Sequence, residues 1–375
     1  AGESERKAPK DLDDFPSFKE RIARTGGTPT YTRPCCTGEL KVKETLSLTK
    51  DINNFKSALE ENNHKQAFMN AASPGVISAF LPNKYYKNND EYLEVLSKLM
   101  KQEYEEIVSN EIDLQIDCPD LALARHMTFK DLSDEDFLKQ AEKQIEFLNQ
   151  ALENIPQSKI RMHICWGNYE GPHTHDISLK KILPLLLKAN VQTYLLESSN
   201  PRHSHEWQVF EDIKLPNDKI IAPGVIDSTT NFVEHPEVVQ NRLVQFSKVI
   251  NKDQLMAGTD CGFSTFAGFG IVDENIVYKK MYLHHFTTKH TPFFFFVLDT
   301  SSCEGFFFWG ILTIGFFSTT TFSSLMIGSS FSKIHLGQNP VSISILQPDG
   351  AIQICFARIE IGTNKMISDR RIFMV

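Results

Sequence analysis

The chain has 375 residues, a net charge of -8 and seven cysteines. That length suffices for one large or two medium domains with a sizeable core, and the mild acidity argues against a nucleic-acid or anionic-membrane partner, since both want a basic face. An odd cysteine count in a long chain speaks against a disulfide framework and for a reducing, cytoplasmic setting in which thiols are free for metal.

The N-terminus, Ala1-Gly2-Glu3-Ser4-Glu5-Arg6, is polar and does not read as a signal peptide. The missing initiator Met suggests a fragment or a processed chain. Residues 1–34, with their prolines and charges, read as an arm or long loop. Apolar runs then predict strands near 38–43, 67–72, 112–117, 160–165, 192–197, 220–226 and 255–259. Amphipathic stretches between them predict helices near 51–63, 90–110, 134–154, 178–189 and 235–250. In the second of these, Leu93, Leu96, Met100, Tyr104 and Ile107 share one face. Ser133-Asp134-Glu135-Asp136 supplies an acidic start to the third. The alternation implies a parallel α/β fold. Seven strands fall one short of the eight in a (β/α)8 barrel.

From about residue 282 the composition changes. Half of the 28 phenylalanines fall in this last quarter, in runs such as Phe293 to Phe296 and Phe306 to Phe308, while charges thin out. The longest apolar run, Phe306 to Phe317, is short of a membrane span. A Phe-rich β segment packed on the barrel is one reading; a tail foreign to the fold, as from a frameshifted or unspliced gene, is the favoured one. Such a tail would be prone to aggregate. The expected division is thus arm 1–34, barrel 35–281 and tail 282–375.

Several strand ends carry ligand chemistry. His163 and Cys165 lie two apart on one strand, so their side chains share a face. Glu197 ends the run Tyr194-Leu195-Leu196-Glu197, and Cys261 lies in Thr259-Asp260-Cys261-Gly262. Two thiols, an imidazole and a carboxylate make a zinc ligand set. Its sulfur content suits a metal that must bind a thiol substrate and lower its pKa. Spacing alone also fits buried structural cysteines. Cys35, Cys36 and Cys118 read as structural.

The residues flanking these ligands form an ordered series. Met162-His163-Ile164-Cys165-Trp166-Gly167-Asn168-Tyr169-Glu170, Leu196-Glu197, Pro223-Gly224-Val225-Ile226-Asp227 and Gly258-Thr259-Asp260-Cys261-Gly262 occur in that sequence. With Gln115-Ile116-Asp117-Cys118-Pro119 and Ala72-Ser73-Pro74-Gly75, the series resembles the catalytic domain of cobalamin-independent methionine synthase, most closely its short relatives. The resemblance spans about residues 30–281. It implies a (β/α)8 barrel with zinc on His163, Cys165, Glu197 and Cys261, and methyl transfer to a zinc-bound thiolate, homocysteine in the parent enzyme. It also implies that Asp117 holds the substrate's amino group and that Ser73 belongs to the substrate site.

The chain departs from the family in several places. Where the family has a proton-donating histidine after the Asp227 strand, this chain has Ser228-Thr229-Thr230-Asn231. The family's first strand is absent, and its last helix is expected to give way to the Phe-rich tail after Met281. His203, in the loop with Arg202 and His205, is the expected replacement proton donor. Arg202 is expected to offer its guanidinium to a substrate carboxylate. His173 and His175 are expected to rim the site, and Asp227 to support it from a strand end. The expected partners are a small-molecule thiol and a methyl donor, methyltetrahydrofolate or a similar carrier. A thiol alkyltransferase acting on an epoxide-like electrophile shares every motif of the thiol half. A truncated, non-catalytic zinc-binding remnant is the reading from outside enzymology.

Overall fold

The protein is described from a computed structural model, which describes residues 2–4, 9–24, 33–42, 46–62, 67–263 and 272–290, together with the strands at 341–346 and 352–356. Six parallel strands form the centre: β3 (Ala67–Ala72), β4 (Asp113–Asp117), β5 (Ile160–Ile164), β6 (Thr193–Leu196), β7 (Ile220–Ile226) and β8 (Gly258–Thr259), paired in chain order. Helices α5 (Asn89–Ser109), α6 (Asp134–Ala151), α7 (Leu179–Leu186) and α9 (Pro236–Ser247) connect them. This is an α/β half-barrel, with β5 nearly continuous in burial because both its faces are covered.

The helix predictions hold where an apolar stripe meets the sheet. On α5, Leu93, Leu96, Tyr104 and Ile107 are buried and Met100 packs against the core. Ser133 caps α6, its Oγ accepting from the Asp136 amide at 3.1 Å, with three acidic residues in the first turn to meet the helix dipole. The first connecting helix, α3 (Leu46–Glu61), begins five residues earlier than the periodicity implied.

Three expectations change. Residues 38–42 form no strand: the Leu40 amide donates to the Tyr86 hydroxyl at 2.8 Å instead of to a neighbouring strand. The place beside β3 is taken by β10 (Ile352–Phe356), which runs parallel to it with Ile352 opposite Ala67 and pairs in turn with β9 (Val341–Leu346). The rest of the Phe-rich segment lies outside the described residues. Finally, a helix crosses the expected boundary: α10 (Glu274–His290) runs nine residues past 281 and packs against α9 and β7. Its buried face holds Lys280, His284 and Thr287 beside Met281, so polar residues interrupt the apolar pattern. Among the described residues no helix is long and apolar enough to cross a membrane.

The arm is structured rather than loose. It forms α1 (Lys10–Asp14) and α2 (Pro16–Arg24), and β1 (Gly2–Ser4) pairs antiparallel with β2 (Arg33–Cys35). Leu12 and Asp11 of α1 are buried.

Candidate metal centre

Parallel pairing of β4 with β5 sets Asp117 directly opposite His163. The His163 Nδ1 lies 2.7 Å from Asp117 Oδ1, and its Nε2 lies 3.1 Å from the Asp260 carbonyl oxygen. Cys165 follows β5 and Cys261 follows β8. Ligand atoms of His163, Cys165 and Cys261 lie within 4.8 Å of one another, all buried, with the two Sγ atoms 4.0 Å apart. Tetrahedral zinc, at about 2.3 Å from each thiolate, would separate two sulfurs by roughly 3.8 Å. The donor set and its spacing therefore fit zinc. An Asp117 carboxylate on Nδ1 fixes the ring and leaves Nε2 as the nitrogen that could bind a metal.

Charge is shared inside this cluster. A hydrogen bond from Cys165 holds the Cys261 thiol pKa below its ordinary value, and the same bond raises that of Cys165. Burial opposes charge on His163, but the Cys261 thiolate and Asp117 outweigh it and hold the imidazole's pKa well up.

Glu197 stands apart from the three-residue cluster. Its Oε1 accepts from the Trp166 amide at 2.7 Å and its Oε2 from Asn200 Nδ2 at 2.9 Å. Burial pushes its pKa up to about 8. Of the four-ligand set expected from sequence, three residues are gathered, and the fourth, Glu197, is held between the Trp166 amide beside Cys165 and Asn200 of its own loop.

Asp117, expected at a substrate ammonium, is engaged with His163. Ser73 is a helix cap: its Oγ accepts from the Val76 amide at 2.9 Å at the start of α4 (Pro74–Phe80) and donates to Asp120 Oδ1 at 2.6 Å. Burial pushes Asp120 up to about 7. Arg202 is exposed, and the structure does not bring it to the cluster. Asp227 Oδ1 accepts from the Thr229 amide at 2.6 Å and the Thr229 hydroxyl at 2.8 Å, which makes it the anchor of its own turn.

His203 is buried with Nδ1 2.8 Å from Glu206 Oε2 and Nε2 2.9 Å from Asp176 Oδ2. Its ring packs on Trp166 at 4.5 Å between centroids. Burial alone would lower its pKa, but the two carboxylates push it up to about 10. Both ring nitrogens of His203 are engaged by carboxylates in this arrangement. His173 belongs to the same network through Asp176, at 3.0 Å, and His175 pairs with Asp14 of the arm.

Sequence reasoning passed over Asp260. Its Oδ1 accepts from the Ser198 and Ser199 amides, both at 2.8 Å, and its Oδ2 from the Asn200 amide at 2.9 Å. Glycine is required opposite it: a Cβ at Gly224 would stand 2.0 Å from Asp260 Oδ1 and 2.7 Å from its Cα. Adjacent glycine and aspartate in two of the quoted motifs were the available signal. Gly224→Ala is expected to cost about 2–3 kcal/mol and to displace Cys261 with Asp260. Denaturant unfolding checks the first effect and metal content the second; an unchanged midpoint would refute the contact.

Residues 85–272, half of the chain, match the family model described as cobalamin-independent synthase, catalytic domain. The methionine synthase of Saccharolobus solfataricus is 24% identical over 276 residues, 70% of this chain and 71% of that protein. A 2-hydroxypropyl-CoM lyase of Xanthobacter autotrophicus is 27% identical over 143 residues, 32% of this chain and 38% of the lyase. The chain spans about two thirds of the length of the methionine synthases it matches. A solved B12-independent methionine synthase from a Shewanella species, in complex with selenomethionine, shares the fold: TM-score 0.52, 19% identity, 68% of each chain covered. With the ordered motifs on adjacent strand ends of one parallel sheet and a family match across half its length, the chain belongs to the cobalamin-independent synthase catalytic-domain family.

Proposed function

We propose that the protein is a zinc-dependent S-methyltransferase, moving a methyl group from a methylated carrier, methyltetrahydrofolate or similar, to a thiol such as homocysteine. The observation that carries this reading is the buried His163–Cys165–Cys261 cluster, whose sulfur-rich donor set suits a metal destined to bind another sulfur. His163, Cys165 and Cys261 would hold the zinc, with Glu197 completing the set after exchanging its bond to Asn200. When bound, the metal supplies Lewis acidity that lowers a substrate thiol's pKa toward neutrality.

The chain's own residues do the rest. Asp117 orients His163 through Nδ1 and so leaves Nε2 for the metal. Asp260 and Asn200 hold the loop that carries Glu197. In the transfer, a sulfur–carbon bond forms as the carrier's nitrogen–methyl bond breaks. The thiol proton leaves for solvent, and the carrier nitrogen takes a proton from solvent, because His203 has both nitrogens occupied.

The same feature keeps a second reading open: a thiol alkyltransferase opening an epoxide-like electrophile. Its support is the partial likeness to the lyase. Metal analysis with two assays separates these readings. Zinc at one per chain, with methionine formed from homocysteine and methyltetrahydrofolate, is the expected result. Thioether formation from an epoxide alone would favour the alkyltransferase. Zinc without turnover on any thiol would mark a non-catalytic remnant, and absence of zinc would sink both metal readings.

A further inference from the structure

The arm reaches the metal centre through one buried carboxylate. Asp11 on α1 is fully buried. Its Oδ2 accepts from the Tyr169 hydroxyl and from the His173 amide, the latter at 2.9 Å, and its Oδ1 faces His126 Nδ1 at 3.1 Å. The Lys10 amide adds a bond to the His126 carbonyl at 2.9 Å. Burial would raise the Asp11 pKa, but the His126 and Tyr169 hydrogen bonds hold it well below the usual range.

Tyr169 and His173 belong to the loop that leaves Cys165. One residue before Tyr169, Asn168 crosses to the other cysteine: its Nδ2 donates to the Gly262 carbonyl at 2.7 Å, and its Oδ1 accepts from the Ser228 hydroxyl at 3.1 Å. A continuous path therefore runs from Asp11 through Tyr169 and Asn168 to the residue next to Cys261. The other acidic residues of α1 make exposed contacts only, Asp13 with Lys19 and Lys130 and Asp14 with His175.

We propose that Asp11 is a positioning residue for the metal centre. It fastens the loop after β5 from the N-terminal arm, and that loop fixes the distance between Cys165 and Cys261. The arm is then part of the site. A carboxylate suits this task because it accepts from a hydroxyl, an amide and an imidazole at once, which no neutral side chain of its size does. The inference rests on the zinc reading above.

The test uses the full chain loaded with zinc, and in parallel with cobalt(II) as a spectroscopic probe of the thiolates. Zinc release to a chromogenic chelator, the cobalt–thiolate absorption band and trypsin cleavage within residues 10–24 are followed in the parent, Asp11→Ala, Asp11→Asn and Asp13→Ala. Asp11→Ala is expected to release zinc roughly tenfold faster, at the low end of what losing an outer partner costs a metal site. It should also shift the cobalt band and expose the arm to trypsin. Asp11→Asn, which keeps one acceptor oxygen, should fall between, and Asp13→Ala should match the parent. A freed arm with unchanged zinc release and an unchanged band would overturn this proposal alone. A parent that holds no metal would overturn the zinc reading and this inference with it. The band separates positioning from general destabilisation, because loss of folded protein lowers its height without moving it.

Discussion

Cys261→Ser and Cys165→Ser are each expected to leave the purified protein with little zinc, where the parent is expected to hold one per chain. A serine hydroxyl stays protonated at neutral pH and is a poor partner for a borderline-soft cation. Structural zinc sites of four ligands bind with about 10–16 kcal/mol at neutral pH. One thiolate therefore represents several kcal/mol, and affinity should fall by more than about a hundredfold. The fold should survive, because His163 keeps Asp117 and the Asp260 carbonyl as hydrogen-bond partners. Cys36→Ser is the control: this thiol is buried and free, and its Sγ donates to Gly38 O at 3.2 Å, away from the cluster. Elemental analysis after dialysis, with far-ultraviolet circular dichroism on the same samples, decides the matter. Stoichiometric zinc in either cysteine variant would remove that residue from the ligand set.

Lys280→Met should destabilise the protein by about 3 kcal/mol, the low end for breaking a buried ion pair from one side. The Lys280 ammonium is fully buried on α10 and donates to the Asp227 carbonyl at 2.9 Å and to Glu234 Oε1 and Oε2 at 3.1 and 3.3 Å. Glu234 Oε1 also accepts from the Asp227 amide at 2.9 Å. Methionine fills the same space but leaves the Glu234 carboxylate, 7% exposed, without its cation. Adding Glu234→Leu removes that stranded charge, so the double variant should recover much of the loss. Denaturant unfolding of the four proteins measures the coupling. Strictly additive losses would show that the pair is not what ties α10 to the loop after β7.

This ion pair also shows where sequence reading reached its limit. Apolar periodicity found α5, α6 and all six central strands within a few residues, because their buried faces are largely apolar. It lost the run of α10 past 281 because Lys280, His284 and Thr287, spaced four and three apart, share the buried face with Met281 and break its apolar pattern. A hydrophobic pattern does not register a polar residue that is buried by pairing. The candidate cluster was legible where its residues are neighbours, as with His163 and Cys165, and where motif order could be matched, as with Cys261. Glu197's two hydrogen bonds were not legible, since they depend on which way a strand-end carboxylate turns. Asp11 was invisible for a different reason: its partners lie 115 to 162 residues away, and its own segment reads as a charged arm. His203 was found, but its two carboxylate partners were not, because sequence names the imidazole and not the groups that face it.

The two cysteines of the cluster are separated by 96 residues, and three strand connections lie between them. A metal joining them acts as a cross-link on that whole stretch, from the end of β5 to just past β8. In polymer terms it closes a long loop, which narrows the unfolded ensemble more than a short closure would, although only logarithmically with length. The stretch outside the loop, including β3, β4 and both arm helices, gains nothing directly from that closure. Metal loading should therefore stabilise the protein unevenly, with amide exchange slowing most between residues 165 and 261.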